Sequence, residues 1–441
     1  RSEKRMNLLT LSWKYLSFRP LSTGLNAILL AFGLAIITVL LLVQHQFEQK
    51  MTRDAAGIDL VVGAKGSPLQ LILASVYHID FPTGNIKMEE AQRISRNRLV
   101  KQVIPLAMGD NVQGFRIVGT NHDYLSLYEV SFAAGKAWEF PFEVTLGASA
   151  AQALGLKLGD SFTGSHGISV GSHDHDQQQF KVTGILAPTG KVVDRLVLTS
   201  IESVWYTHDE QGEESIAIEE EELPLEEEAS HEEEDHDVPT EAMDPLKVPV
   251  AAQGFPSTNE EREVTSLLVR YRNPMAAIQL PRMINSATSM QAASPAFEMS
   301  RLFELLGVGI SLLQGLAIAL VVIAGLSIFI ALYNSLKERK YDLAILRTLG
   351  ASRLQLVTLV FLEGISLTTL GALLGIALGH GFLAIIVELT AQEVVSLVDP
   401  WIFLPEEGLI FGYALAVGMG ASLIPAWSAY QTSIAKQLTK T

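Results

Sequence analysis

Apolar residues gather into four runs along the chain. The first spans Leu21 to Phe47, with no Asp, Glu, Lys or Arg between Arg19 and Glu48. The second, Leu305 to Leu336, is uncharged throughout. The third, Leu354 to Val387, carries one acid, Glu363, and the fourth, Gly408 to Trp427, carries none. Each reaches the ~18–20 apolar residues that cross a bilayer as a helix. A buried helix of a large soluble core would explain one such run; four make that reading untenable. The first run is too long for a cleaved leader and about 20 residues precede it, so it is expected to remain as an anchor. The second run is longer than a crossing needs: its 32 residues extend ~48 Å at 1.5 Å each, against ~30 Å of hydrocarbon. It is expected to project outward as a stalk. Leu302, Leu305, Leu306, Leu312 and Leu313 recur on it at helical spacing, to pack against a second stalk or to meet lipid or the underside of the outer domain. Gly371, Gly375 and Gly379 in the third run are four residues apart, which lets helix backbones approach closely in lipid.

Between the first two runs the pattern changes to short alternating segments. Residues 57–64 read as a strand, 88–104 as an amphipathic helix with Ala91, Ile94, Leu99 and Ile104 inward, and 111–119 and 142–146 as strands. Ser149 can cap a helix Ala150–Leu154 that Gly155 closes. Phe180–Leu186, Arg195–Thr199 and Ser266–Arg272 read as strands, and Pro274 opens a further helix. The predicted fold class is an integral membrane α-helical protein of four transmembrane helices, with a large extracytoplasmic α+β domain inserted between helices 1 and 2.

Charge orients this plan. Arg1, Lys4, Arg5, Lys14 and Arg19 precede the first run, and Lys337, Arg339, Lys340, Arg347 and Arg353 lie between the second and third. The segment Glu388–Glu407 has five acids and no Lys or Arg. Cations stay on the cytoplasmic side, so both termini and the connector at 337–353 are expected inside. The predicted order is a segment 1–20 inside, helix 21–45, an outer domain 46–303, stalk and helix 304–336, the connector, helix 354–387, an outer loop 388–407, helix 408–427 and a tail 428–441 inside. The expected location is a bacterial inner membrane with the large domain in the periplasm. The chain has 441 residues and a net charge of −16. Between 46 and 304, 39 acids face 20 cations, so the whole negative excess lies outside. That balance argues against a nucleic-acid partner, which needs clustered Lys and Arg. Charged residues are 18% against about 25% in soluble domains. Cys is absent, which excludes disulfides, thiolate metal sites and cysteine catalysis.

Two stretches stand apart from a packed domain. No Lys or Arg occurs between Arg195 and Lys247, and Asp209–Asp244 holds 18 acids. Like charges at this density repel, so 208–250 reads as a disordered surface insertion. The second, Gly164–Gln179, carries His166, His173 and His175, and the acidic stretch adds His208, His231 and His236. Imidazole beside carboxylate suits Zn²⁺, which makes His166, His173, His175, His231 and His236 the candidate metal ligands; incidental histidines in solvated loops are the alternative. His231–His236 is not an HExxH motif, because its second His falls one residue late. Gly184–Lys191 has five residues between its glycines and Val192 after the Lys, so it is no phosphate loop. The chain is expected to catalyse nothing itself. Its membrane runs hold few polar groups (Gln314, Asn334, Glu363 and His380), too few to line a conduit for a polar solute.

The connector reads KERKYDLAILRTLGASR, from Lys337 to Arg353. Leu343, Leu346 and Leu349 lie at i, i+3 and i+6, and Gly350 is placed as a C-terminal cap, so a short amphipathic helix is expected at the inner surface. With the following residues to Glu363 and Gly364, this stretch resembles the signature of FtsX/MacB-type ABC permeases, the type VII mechanotransmission family. Glu338, Arg339, Asp342, Ala344, Leu346, Arg347, Leu349, Gly350, Ala351, Ser352, Glu363 and Gly364 occupy the matching positions. Ser422–Ala426 is similar to the family's last helix, and 142–162 and 180–200 to its periplasmic core domain. The resemblance implies that the outer region splits into two subdomains and that the connector docks on a cytosolic ABC ATPase. Leu343, Leu346 and Leu349 would be the docking face and Arg339, Asp342 and Arg347 its polar contacts, with Glu338, Gly350, Ala351 and Ser352 completing the ATPase-coupling set. Residues 1–20 would form an amphipathic helix on the inner surface, through Leu8, Leu11, Trp13, Tyr15 and Phe18. Two permease chains, identical or paralogous, and two ATPases holding ATP and Mg²⁺ would form the working unit, with a periplasmic binding protein or lipoprotein as a further partner. The histidine and acidic insertions depart from the pattern and suggest a zinc-related cargo; lipoprotein, peptide or drug extraction is the alternative. A receptor working without an ATPase would need a cytoplasmic signalling module, for which the 14 residues after Trp427 leave little room.

Overall fold

Four long helices account for the apolar runs. The computed structural model describes residues 8–165, 174–207, 250–256, 262–389 and 398–431, with backbone only at 165 and 174–178. It divides into a helical unit, Arg1–Lys50 with Phe303–Thr441, and a sheet unit, Met51–Leu302.

In the helical unit a short helix α1 (Leu8–Ser17) leads into α2 (Pro20–Asp54). The other spanning helices are α9 (Pro295–Glu338), α11 (Arg353–Leu389) and α12 (Glu407–Tyr430), with the connector helix α10 (Lys340–Thr348) between α9 and α11. All four are long and apolar enough to cross a membrane. The second run lies within a longer helix: α9 has 44 residues, ~66 Å at 1.5 Å each, and Leu305, Leu306, Leu312 and Leu313 on it are exposed. The bundle core joins Leu30 and Leu34 of α2, Val321 and Ile328 of α9, Leu367 of α11 and Ile410 of α12. Some of its few polar groups bond one helix to another, as favoured in lipid. The Ser327 hydroxyl donates to Asn26 Oδ1 (2.6 Å). At the other end of α11, His380 Nδ1 lies 2.6 Å from the Pro400 carbonyl and Nε2 3.1 Å from Glu407 Oε2.

The sheet unit comprises strands β1 (Leu60–Ala64), β2 (Ile86–Lys87), β3 (Val100–Val112), β4 (Phe115–Thr120), β5 (Phe132–Gly135), β6 (Glu143–Leu146), β7 (Ser161–Ser165), β8 (Asp174–Leu186), β9 (Val197–Ser200), β10 (Glu263–Val264), β11 (Ser266–Tyr271) and β12 (Met290–Ala293). Its helices are α3 (Pro68–Ser75), α4 (Met88–Ser95), α5 (His122–Leu127), α6 (Ala148–Leu154), α7 (residues 201–207) and α8 (Ala276–Ala287). Ten strands form one mixed sheet in the order β12-β1-β11-β3-β4-β9-β6-β8-β5, with β7 beside β3 and β8. The sheet is continuous through the unit, and its buried apolar residues include two clusters, one around Leu60, Val103, Leu267 and Ile284, the other around Val144, Phe180, Val182 and Val197. The 13-residue β3 contributes Val103 to the first and Val112 to the second.

Three local expectations need correction. Residues 88–104 are not one helix: α4 buries Ala91 and Ile94, then ends, and Asn97 Oδ1 accepts the Leu99 N–H (2.9 Å) in a turn before β3 begins. Tertiary pairing with β4 and β11 claims Val100 onward. Residues 111–119 are not one strand but a hairpin. Val112 pairs with Phe115 across Gln113 and Gly114, both at positive φ (47° and 89°), the geometry of a two-residue type I′ turn. Finally, α6 starts at Ala148 after an N-cap at Gly147, although Gly155 does close it in the left-handed conformation (φ 67°).

The last turn of α2 is held inside the sheet unit. The Tyr77 hydroxyl donates to the Met51 carbonyl (3.0 Å) and the Tyr128 hydroxyl to the Asp54 carbonyl (3.1 Å). The Val192 N–H donates to Asp54 Oδ1 (2.9 Å). Terminal carbonyls left without helical partners are thus satisfied by side chains. Beside them His78, itself buried at positive φ (55°), places Nε2 3.1 Å from the Tyr124 hydroxyl and leaves Nδ1 without a partner.

Candidate coupling surface

The connector is built from local chemistry that its sequence spells out. Gly350, at φ 103°, takes the left-handed position after α10. Its N–H donates to the Arg347 carbonyl (3.1 Å) and that of Ala351 to the Leu346 carbonyl (3.0 Å), the two bonds of a Schellman ending. Two residues later the next helix opens. The Ser352 hydroxyl accepts the Gln355 N–H (3.2 Å) and Gln355 Oε1 accepts the Ser352 N–H (2.7 Å), a reciprocal capping box. Leu-Gly-Ala-Ser is thus a stop followed at once by a start, and it sets the angle between α10 and α11.

The faces of α10 are the reverse of the expectation for two of its leucines. Leu343, 3% exposed, packs with Leu336, Leu356, Leu359, Val360, Ala426 and Ala429, and Leu346 lies partly buried against the same cluster. A helix at a bilayer surface buries its most apolar stripe against its own bundle first, so neither is on the free side. What α10 does present is Tyr341, Asp342, Ile345, Thr348 and Leu349. Leu349 is 79% exposed and Tyr341 56%. Ser352 continues the exposed side, while Ala351 is half-buried. The sequence held this signal: Tyr341, Ile345 and Leu349 are four apart, a second apolar stripe beside the leucine one.

Arg339 also faces inward. Its Nη1 lies 3.0 Å from Glu363 Oε1 of α11, with both side chains largely buried, and its guanidinium stacks over the Tyr15 ring of α1 at 4.1 Å. The preceding residue, Glu338, forms an ion pair with Arg19, between α1 and α2. So Arg339 is not a surface contact, and Glu363 is its intrachain partner. Arg347 is half-buried.

The glycines of α11 face other helices of the chain. A Cβ on Gly371 would meet Leu30 Cβ at 3.2 Å, on Gly375 the Ala31 carbonyl at 2.9 Å, and on Gly379 Thr38 Cβ at 2.9 Å. These three seat α2. Gly364 seats α12, with Ser422 Cβ 2.9 Å from the same construction. Leu11 and Tyr15 of α1 pack against the Leu343 cluster, whereas Leu9, Trp13 and Phe18 are exposed, so α1 is apolar on both sides. Of the candidate metal ligands, His166, His173, His231 and His236 lie outside the described residues, as does the acidic insertion, and of His175 only the backbone in β8 is described. Among the described residues no group of three or more His, Asp or Glu could hold a metal ion.

Two family models match. Residues 23–224 match the MacB-like periplasmic core domain and residues 315–434 the FtsX-like permease C-terminal region. The sheet unit runs on past residue 224 to Leu302, and β11, from that later part, is an interior strand of the sheet between β1 and β3. Among solved structures, the periplasmic region of MacB from Actinobacillus actinomycetemcomitans is 13% identical, with a TM-score of 0.31 over 58% of this chain and 98% of that one. The extracellular domain of the noncanonic ABC-type transporter YknZ from Gram-positive bacteria is 12% identical, with a TM-score of 0.28 over 54% and 99%. TM-scores of this size add nothing to the assignment. No curated protein matches the chain. With four apolar helices, a sheet unit inserted between the first and second, and models of both parts matched in order, the chain belongs to the FtsX/MacB-type ABC transporter permeases.

Proposed function

We propose that this chain is the membrane subunit that takes up force from a separate cytosolic ABC ATPase on α10 and delivers it to the extracytoplasmic sheet unit, with both termini in the cytoplasm of a bacterial inner membrane. The observation that carries the reading is the free stripe of α10. Tyr341, Ile345 and Leu349 are apolar or aromatic, exposed, and mounted between a Schellman stop and a capping-box start that hold the helix at a set angle. A solvated cytoplasmic loop gains nothing from such a stripe; a helix that seats in a partner's groove does. The bundle supports the same reading, because its polar groups are few, and two of the contacts among them, Ser327 with Asn26 and His380 with Glu407, join one helix to another. Work would therefore be done on cargo outside the membrane. A pair of permease chains with a pair of ATPases is the unit this mechanism needs, and the exposed leucines of the α9 stalk are where the two chains would meet. No described side chain supports a zinc cargo, and the proposal carries no metal.

Co-purification from the membrane with the partner ATPase tests the reading. Leu349→Asp and Ile345→Asp place a charge on the free stripe without touching the buried cluster. Each should lower recovery of the ATPase at least tenfold while the permease itself is recovered at wild-type yield. Undiminished recovery in both would remove α10 as the docking element.

A further inference from the structure

Arg339 and Glu338 are adjacent, yet between them they tie four elements of the helical unit. Glu338 ends α9 and pairs with Arg19, which sits between α1 and α2. Arg339 is the N-cap of α10; its N–H donates to the Ser335 carbonyl of α9 (3.1 Å) and its carbonyl accepts the first bond of α10, from the Leu343 N–H (3.0 Å). Its side chain reaches across to Glu363 in α11 and lies under Tyr15 of α1. A buried ion pair is a poor way to gain stability, since desolvation offsets most of the attraction, but it is a strong way to fix one geometry. Arg suits the place because its planar group can bond a carboxylate in-plane and stack on an aromatic face at once.

We propose that Arg339 is a positioning residue of the force relay: through Glu363 it makes α10 move as one body with α11, and through Tyr15 it carries α1 along, without touching the ATPase. This rests on the α10 docking reading above. The pair lies at the N-terminal end of α10, with both side chains largely buried, so a push on Tyr341, Ile345 and Leu349 is resisted by this joint and by the Leu343 cluster on the opposite side of the helix. With the joint cut, α10 rocks on its own and the displacement stops there.

The test uses the full-length chain with its ATPase in lipid nanodiscs. The chain contains no cysteine, so L305C on the exposed part of α9 gives a single reporter for a thiol-directed probe. In the wild-type background ATP should change the labelling rate of that cysteine. In Glu363→Gln and Arg339→Gln, ATPase binding should stay within twofold of wild type while the ATP-dependent change in labelling falls at least fivefold. The exchanged pair R339E/E363R should restore a substantial part of it, and Arg339→Lys, which keeps the charge but not the stacked plane, should fall between. Wild-type relay in both single variants overturns the proposal, and so does loss of ATPase binding in Arg339→Gln alone, which would place Arg339 at the motor. If the wild-type chain binds no ATPase, or its reporter ignores ATP, the docking reading falls first and this one with it.

Discussion

His78 is the residue whose chemistry diverges furthest from its ordinary behaviour. Burial, with the Arg116 and Arg195 guanidinium groups nearby, pushes its imidazole down to about 3. A neutral folded-state imidazole and a protonatable unfolded one make stability pH-dependent. Between pH 6.5 and 3 the unfolded chain binds the extra proton, so stability is whole above about 6.5 and is lost as pH falls towards 3. The full effect is on the order of 5 kcal/mol. His78→Asn keeps a residue type that tolerates positive φ and removes the titration. The melting temperature of the sheet unit in that variant should fall less between pH 7 and pH 4.5 than in wild type; parallel curves would show that another group sets the acid limit. Nothing in the composition marks this histidine among the ten. It became distinctive only when β4, the 3-10 turn at Val192–Arg195 and α5 closed around it.

At the scale of elements, α11 organises the helical unit. It is tied at one end by Arg339 to Glu363, at the other by His380 to Glu407, and grooved between by Gly371, Gly375 and Gly379 for α2. Other glycines on the spanning helices have open space instead, Gly381 of α11 and Gly420 of α12 among them. Gly375→Val should therefore cost about 1–3 kcal/mol, because its side chain meets a backbone carbonyl that cannot retreat. Gly420→Ala should be neutral or slightly stabilising. Thermal unfolding in detergent compares the two, and equal effects would mean that the groove is not tightly filled. The four-residue glycine spacing was readable in the sequence as a close-packing signal, but its partner was not, since α2 lies more than three hundred residues away along the chain. The same limit explains α10: two apolar stripes, Leu343/Leu346 and Tyr341/Ile345/Leu349, are both visible as patterns, and only packing shows which one the bundle takes.

At the scale of the whole molecule, the sheet unit carries its own core and chain connections to the spanning helices through α2 and α9. A fragment of residues 51–302 should fold without detergent. Because β3 supplies residues to both apolar clusters, it should unfold in one cooperative transition. Two separated transitions by calorimetry would show that the clusters are independent domains sharing a sheet only in form. The sequence by itself determined the number of the spanning helices, the insertion of a mixed domain between the first two, and the glycine stop that ends the connector helix. These follow from hydrophobic length and from caps completed within about six residues, so short-range physics suffices. The tertiary structure alone decided which face of α10 is free, that Arg339 belongs to Glu363 rather than to a surface, and that residues after Ile94 leave the helix for the centre of a sheet. Each of those outcomes is a competition between partners far apart in the chain, and the winner depends on which surfaces the fold brings together.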